Sequence, residues 1–426
     1  MRLDLQARLA RNAGWLVLGQ GFALVCQAGY FVCLARLLRA TEYGIYVGAV
    51  ALSGLLAQYS ALGSHSVFLR YVSREPGNFR TYWANVVLTT TVMGSAFTVL
   101  LIFAGPLVSH STTHRMMACV AAGECVCGQI AYSAGRAFQA FERMRVTALL
   151  SLLTHALRAV LAGTLLWTVH RTTAREWALA TLAISAAVSV VAVIFVTRCF
   201  GKPQFNKDLL KARAGEGLVF ALSYSTGGVL NDVDKAMLGH YGMNLANGIY
   251  SMAYRVVDVG MMPISAVHTA AFPRFFQKGV EGASATRAFA QRILQRTAPT
   301  GLALAAAMWV AAGIIPRALG ASFAESTAAL RWLCLLPLFR SFHMSAGDAL
   351  TGAGKQKFRL VTQTLAAAFN FGANLWLIPR YGWLGAAWSS LMTDAGLAGL
   401  NWTALTCAVA KRPKDRRHGV PVGATN

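Results

Sequence analysis

Charged residues are scarce in this chain, and acidic ones scarcest: Asp and Glu number 16 against 39 Lys and Arg in 426 residues. At 13% charged and 56% hydrophobic, it lies far from the roughly 25% charge of a soluble domain. Long hydrophilic stretches are missing too. The longest internal one, FGKPQFNKDLLKARAGEG over 199–216, is basic and contains helix breakers, so a sizeable extramembrane domain is excluded. Cysteines number only eight. Cys26, Cys33, Cys119, Cys125, Cys127, Cys334 and Cys407 lie within apolar runs and Cys199 at the end of one, unlike a secreted disulfide framework. Cys125 and Cys127, two apart on a helix, face different directions and make no metal clip. The deficit of acid leaves a formal net charge of +23. The basic residues nevertheless fall in short breaks between apolar runs instead of on one soluble face, which excludes nucleic-acid binding. The opening MRLDLQARLARN is a charged, amphipathic stretch running into an apolar segment, with no evident cleavable signal.

What the chain has in quantity is apolar sequence of membrane-crossing length. A spanning helix takes about 20 residues, and twelve spans are expected at 13–35, 44–66, 82–105, 116–138, 146–169, 177–198, 217–239, 248–272, 293–315, 326–350, 358–378 and 383–409. Counted with Arg136, Arg198, Arg296 and Arg359 at their borders, the two ends and the even-numbered loops carry 27 Lys and Arg; the odd-numbered loops, with Arg331, carry 8, and the span interiors 4. Positive charge accumulates on the cytoplasmic side, so both termini are expected there, with the tail KRPKDRRH as an anchor at the anionic lipid surface.

The chain also repeats itself. Gly44-Ile45-Tyr46 recurs as Gly248-Ile249-Tyr250, and the same offset maps Arg70-Tyr71 onto Arg274-Phe275. Further along, Ala134-Gly135 recurs as Ala346-Gly347, and Pro106 maps onto Pro316. An even number of spans per repeat relates two equally oriented halves by an axis along the membrane normal. The expected organisation is an all-α polytopic membrane protein of two pseudo-symmetric six-helix bundles, 1–198 and 217–410. A linker at 199–216 joins them, and a basic tail follows at 411–426.

Apart from the border arginines just counted with the loops, ten charged residues fall inside these spans: Glu124, Arg158, Asp232, Asp234, Lys235, Arg255, Asp258, Arg340, Asp348 and Asp394. A charge at the bilayer centre costs at least about 2.5–3.5 kcal/mol, so such residues line cavities or paths. Arg158 stands near the middle of its span. Asp348 maps onto Arg136 in the repeat and is expected nearer the interface.

With the residues on the page, a resemblance appears. The stretch NDVDKAMLGHYGMNLANGIYSMAYRVVDVGMMPISAVHTAAFPRFF (231–276) resembles bacterial polysaccharide repeat-unit transporters. So do GAGKQKFRLVTQTLAAAFNFGANLWLIPRYGWLGAAWSS (352–390) and ARLLRATEYGIY (35–46). The family is the O-antigen and exopolysaccharide flippases of the multidrug/oligosaccharidyl-lipid/polysaccharide exporter superfamily. The resemblance implies twelve helices in two bundles and alternating access. It also implies export of an undecaprenyl-pyrophosphate-linked oligosaccharide across the bacterial inner membrane, coupled to a proton or sodium ion, with no cofactor. A polymerase and a chain-length regulator are the implied protein partners, and membrane lipids surround the chain. Asp234 matches the family's recurrent Asp, and Arg255 the Arg of its AYR motif.

A lipid-linked sugar needs cations for its phosphates and polar groups for its hydroxyls before it can cross hydrocarbon. Arg158, Arg255 and Arg340, with Lys235, are the expected pyrophosphate ligands, because Arg presents a planar donor fork to phosphate oxygens. The bland alternative is that each is neutralised by a carboxylate to hold the bundle together. Asp394, Asp258, Asp234, Asp232 and Glu124 are candidates for ion coupling or charge pairing. Arg255 and Asp258, three apart on one helix, are expected to pair. Asp394 has no charged neighbour in sequence and needs a partner from another helix, a cation or a proton. Pro263 and Pro337 are expected to bend their spans. Trp15, Trp83, Trp177, Trp383 and Tyr381 sit where aromatic belts are found. Tyr224, Tyr250 and Tyr254 either stack on sugars or pack. Gly352-Ala353-Gly354-Lys355 lacks the hydroxyl residue of a phosphate loop and reads as a tight turn, and His110 and His114 as a surface pair. Two other functions fit the composition: a cation-coupled multidrug exporter, which favours an acidic lumen, and a membrane polymerase or ligase. The latter needs a large outer loop, and the outer loops here are at most about a dozen residues.

Overall fold

Every backbone polar group in hydrocarbon must be satisfied within its own segment, so an apolar chain of this length has helices as its outlet. The computed structural model describes residues 2–410, apart from the side chains of 2–25, 219, 223–227, 229 and 230. It contains sixteen α-helices and no strand among the described residues. The expectations placed on the tail 411–426, on Trp15 and on Tyr224 lie outside the described residues.

The chain runs through α1 (Arg2–Ala57), α2 (Ser64–Val72), α3 (Phe79–Val108), α4 (His114–Ala121), α5 (Gln129–Ala140), α6 (Met144–Thr168) and α7 (Ala174–Phe200). It continues through α8 (Lys207–His240), α9 (Asn244–Gly260), α10 (Met262–Val280), α11 (Ala283–Ala311), α12 (Ile315–Leu319), α13 (Ser326–Leu333), α14 (Leu336–Gly352), α15 (Gln356–Tyr381) and α16 (Trp383–Ala410). These follow the twelve expected spans. The first two spans share α1, whose direction changes at Arg39, a non-glycine residue at φ 57°. Spans eight and ten are each two helices, α9–α10 and α13–α14, and Pro263 and Pro337 stand at the starts of the second pieces. A proline at the first turn needs no hydrogen-bond partner, so the bend settles there. Span four joins α4 to α5 through a π-helical turn, Ala122–Gly128, that contains Glu124. Five segments are long and apolar enough to cross a membrane by length and composition: Cys26–Ala57, Pro76–Val108, Met144–Thr168, Ala174–Phe200 and Ala283–Leu319. The remaining spans are those interrupted by proline, glycine or charge.

Two compact units make up the chain. The first comprises Met1–Val259, Met308–Leu333 and Phe369–Ser389; the second comprises Gly260–Ala307, Cys334–Ala368 and Ser390–Asn426. In the first unit the repeated motif meets itself. A Cβ on Gly44 would lie 1.8 Å from the carbonyl oxygen of Asn244, and one on Gly248 would lie 1.9 Å from that of Ala40. Ala40 and Asn244 are related by the offset that relates the two glycines, so the contact is reciprocal, as a pseudo-twofold requires. Asn247 Nδ2 seals it by donating to the carbonyls of Gly44 and Lys235, both at 3.0 Å. Aromatic packing fills another part of this unit, where Phe68, Phe79, Trp83 and Phe138 are buried together. Trp83 and Trp177 are wholly buried, not ranged along an interfacial belt; nearness to a span end does not say which way a ring points. The second unit has its own core of Phe275, Ile293, Ala346, Leu350 and Leu405. There Gly279 and Gly352 bring α10 and α14 together, a Cβ on Gly279 falling 1.9 Å from the carbonyl oxygen of Gly352.

The surface is apolar where a soluble protein's would be polar. Phe103, Leu107, Val160, Trp167 and Val310 are all exposed, and among the residues of α6 only Ala162 is buried. Polar positions are correspondingly concentrated inside, which is what positions the site.

Candidate functional site

In the first unit the ionic residues of four helical elements, the π turn, α6, α8 and α9, lie near buried tyrosines of α1. Arg158, midway along α6, reaches Glu124 of the π turn at 4.0 Å and donates from Nη2 to Ser185 Oγ of α7 at 3.0 Å. Its Nε is buried with no partner. Three buried tyrosines of α1 continue the path. Tyr46 lies within electrostatic reach of Arg158 and Glu124, Tyr30 of both Arg158 and Arg255, and Tyr43 of Arg255 and Asp258. Arg255 of α9 pairs with Asp258 at 3.7 Å, covers the ring of Phe31 at 5.1 Å, and feels Asp232.

Asp232 leads on to Lys235 of α8, whose Nζ is 3.1 Å away and 4.7 Å from the ring centre of Tyr254. Asp234 accepts from the backbone N–H of Lys235 at 2.8 Å and from the hydroxyl of Tyr250. Tyr250 and Tyr254 are both buried, so packing and hydrogen bonding occupy them. Seven of the nine expected site residues thus belong to the first unit, six of them in ion pairs and Asp234 bonded to Tyr250: Arg158, Arg255, Lys235, Glu124, Asp232, Asp234 and Asp258.

The other two belong to the second unit and pair with each other. Arg340 Nε of α14 donates to Asp394 Oδ2 of α16 at 3.1 Å, and His343 Nε2 lies 3.5 Å from the other carboxylate oxygen. Asp348 forms a separate cluster there. His268 Nδ1 is 2.9 Å from one of its oxygens, and Arg359 Nη1 is 3.3 Å from the other. Asp348 is buried, held from α10 and α15. Each of the four expected phosphate ligands therefore faces a carboxylate. Two of these pairs, Arg158–Glu124 and Arg340–Asp394, bridge different helical elements, so an anionic ligand that displaced the carboxylate there would also change a helix–helix contact.

A cavity of about 350 Å³ opens between α5, α6 and α7, lined by Arg136, His155 and Arg158, by Tyr132, Ser151, Thr154 and Ser185, and, among the described residues, by no carboxylate. Arg136 is held at one end of it by Tyr132 Oη, 2.9 Å from its Nε, and by Gln139 Oε1 at 2.9 Å. Sequence reasoning missed Arg136 as a lining residue, because it lies at a span's end, and missed the α1 tyrosines. Tyr46 had a signal available: it is the repeat partner of Tyr250. The pairing of His268 with Asp348 had none, since the two are 80 residues apart. Among the described residues no cluster of His, Cys, Asp or Glu could hold a metal ion. His110 and His114 are exposed and bond to the backbone at His240 and Ile102, and Gly354, at φ 71°, closes the expected turn.

Buried ionic residues inside apolar helical units of this kind define a multi-pass membrane protein. The chain superposes with a TM-score of 0.76 on the lipid II flippase MurJ in an inward closed conformation, at 11% identity over 92% of this chain and 87% of that one. It also resembles an inward-facing multidrug resistance MATE family transporter of the MOP superfamily, with a TM-score of 0.70 and 14% identity over 92% of this chain and 96% of that one. A MOP superfamily transporter from Pyrococcus furiosus, described as having a binding pocket of reverse polarity, aligns with a TM-score of 0.58 at 13% identity over 95% of both chains. No curated protein matches the chain significantly. A family model does: the description "Polysaccharide biosynthesis protein" matches residues 9–278, and the chain belongs to that family.

Proposed function

We propose that this protein moves undecaprenyl-pyrophosphate-linked oligosaccharide repeat units from the cytoplasmic to the periplasmic leaflet of the bacterial inner membrane. The units serve O-antigen or exopolysaccharide synthesis, and movement is by cation-coupled alternating access of two six-helix halves. One observation carries the reading: in a chain of a polysaccharide biosynthesis family, three cations inside spans, Arg158, Lys235 and Arg255, belong to one unit and each faces a carboxylate. A pyrophosphate can be handed along such a set because each guanidinium or ammonium already has an anionic partner that the phosphate replaces. Arg340 plays the same part in the second unit, where His343 also faces the displaced Asp394.

The carboxylates released in this way, Asp394, Asp258, Asp232 and Glu124, together with Asp234, are the groups that take up the coupling proton or sodium ion. Both termini face the cytoplasm, and a polymerase and a chain-length regulator receive the exported unit. Expression in strains lacking flippases of known repeat units tests the reading: restored surface polysaccharide supports it. Drug resistance without polysaccharide would assign the chain to multidrug export instead. Wild-type polysaccharide from single charge-removing variants at Arg158, Arg255 and Arg340 alike would end the phosphate assignment.

A further inference from the structure

We infer that His268, Asp348 and Arg359 form a proton-operated clasp in the second unit, a single proton on His268 deciding whether α14 holds the beginning of α15. The inference goes beyond the flippase reading and applies whatever the cargo. It starts from an imbalance of charge. One buried carboxylate, that of Asp348 in α14, faces two groups able to be cations: His268 of α10, whose Nδ1 is 2.9 Å from Oδ2, and Arg359 of α15, whose Nη1 is 3.3 Å from Oδ1. Among the described residues no other charged side chain pairs with these three, and the core side chains that α11 and α16 contribute alongside, Ala290, Ile293 and Leu405, are apolar. A carboxylate beside Nδ1 calls for a proton there, so the neutral ring carries Nδ1–H and leaves its lone pair on Nε2. That Nε2 is buried and has no hydrogen-bond partner. With His268 neutral, Asp348 and Arg359 balance each other. When the Nε2 lone pair takes a proton from water, the cluster holds two cations against one anion in apolar surroundings, where an unbalanced charge is expensive. One cation then has to leave. With 3% of its side chain exposed His268 has no way out, whereas Arg359, at 28%, turns to water.

What Arg359 lets go of is a helix end. The same Nη1 donates to Thr351 Oγ1 at 2.8 Å and to the carbonyl of Gly347 at 3.4 Å, so one guanidinium ties α15 to the last two turns of α14. Gly347 permits this approach, since a Cβ there would lie 3.3 Å from Arg359 Nε. Three residues further on, Thr362 Oγ1 donates to Asn401 Oδ1 of α16 at 2.6 Å, an anchor that confines the loosening to the first turn of α15. The other side of α14 keeps its place, because Gly279 of α10 packs against Gly352 too closely for a Cβ. The imidazolium–carboxylate pair joins those same two helices.

Pulsed EPR on the purified full-length protein tests the clasp, with nitroxides at Val280→Cys on α10 and Phe358→Cys on α15 in an otherwise cysteine-free chain; both positions are exposed. The ratio of released to clasped distances is expected to rise at least about fivefold from about pH 8 to about pH 5, the range in which an imidazole changes charge. His268→Gln keeps a neutral donor for Asp348 and should stay clasped across the range. Asp348→Asn leaves Arg359 no carboxylate and should be released throughout, so the two variants move in opposite directions, which a purely structural trio would not produce. Nitrogen NMR of histidine-labelled protein should show the Nδ1–H tautomer of His268 at about pH 8, the signal being the one that His268→Gln removes. Wild-type distances that do not change with pH would overturn the clasp whether or not a variant folds. So would a pH response undiminished in His268→Gln, or an Nε2–H tautomer in the neutral ring. Failed complementation of flippase-deficient strains with the pH response intact would remove the cargo assignment and leave the clasp standing.

Discussion

Arg340 and Asp394 illustrate what a single charge does in an apolar fold. Both side chains are about 15% exposed, and they meet at 3.1 Å. Removing one partner of a buried pair leaves the other charge uncompensated and costs about 3–5 kcal/mol, whereas replacing both by apolar residues of similar volume is often neutral. Asp394→Asn is therefore expected to lower the thermal midpoint of the purified protein clearly, and the double variant Arg340→Met with Asp394→Leu to restore most of it. Equal destabilisation by the single and double variants would contradict the pairing. If Asp394 is also a coupling group, Asp394→Asn changes the response of polysaccharide export to collapse of the proton or sodium gradient; an unchanged response removes it from that role. The sequence already said that Asp394 needed a partner from outside its helix, but the partner lies 54 positions away and no local spacing points to it. Arg255 and Asp258 are the opposite case: three apart on one helix, they were legible as a pair and lie 3.7 Å apart.

At the scale of elements, the helices were the most legible feature, because chain in hydrocarbon has so few alternatives. Their interruptions were legible only where proline marks them. Pro263 and Pro337 announced the breaks at α9–α10 and α13–α14, while nothing in Ala122–Gly128 announced a π turn and nothing at Arg39 announced a left-handed residue joining two spans. The repeat was legible as a pattern, yet its purpose emerges only in three dimensions, where Gly44 and Gly248 sit under each other's neighbouring carbonyls at distances no Cβ can share. Overpacking a tight contact costs typically 1–3 kcal/mol, sometimes more. Gly44→Ala and Gly248→Ala should each destabilise by about 3 kcal/mol, measurable as a fall in thermal midpoint. Because both act at one crossing, the double variant should cost less than the sum of the singles; full additivity would mean that the two glycines do not share a contact. Pro263→Ala lets the helix continue through Met261, and the expected readout is altered cysteine accessibility on the two sides of the bend. Unchanged accessibility in both facing states would deny the bend a part in switching.

At the scale of the whole molecule, the distribution of charge predicts an orientation that can be measured directly. Loops joining spans two to three, six to seven and ten to eleven carry the basic residues Arg74 and Arg80, Lys202, and Lys355 and Lys357, and these are expected on the cytoplasmic side by the excess of 27 over 8. Single cysteines placed in an otherwise cysteine-free chain at Gly77, Lys202 and Lys355 should thus resist a membrane-impermeant thiol reagent in intact cells and react after permeabilisation. Cysteines at Ser111, Arg171 and Gly242 should react in intact cells. All eight native cysteines are free thiols, so their removal breaks no disulfide. The alternation is a strict consequence of the fold: an odd number of crossings between any two of these loops reverses the label, and an even number preserves it. One loop out of phase would mean that a segment taken as a span lies along the surface. A complete inversion of the pattern would keep the twelve helices but reverse the membrane face to which each loop belongs. The end of the α5–α6–α7 cavity at Arg136 would then lie toward the periplasm, and the proposed direction of transport would reverse with it.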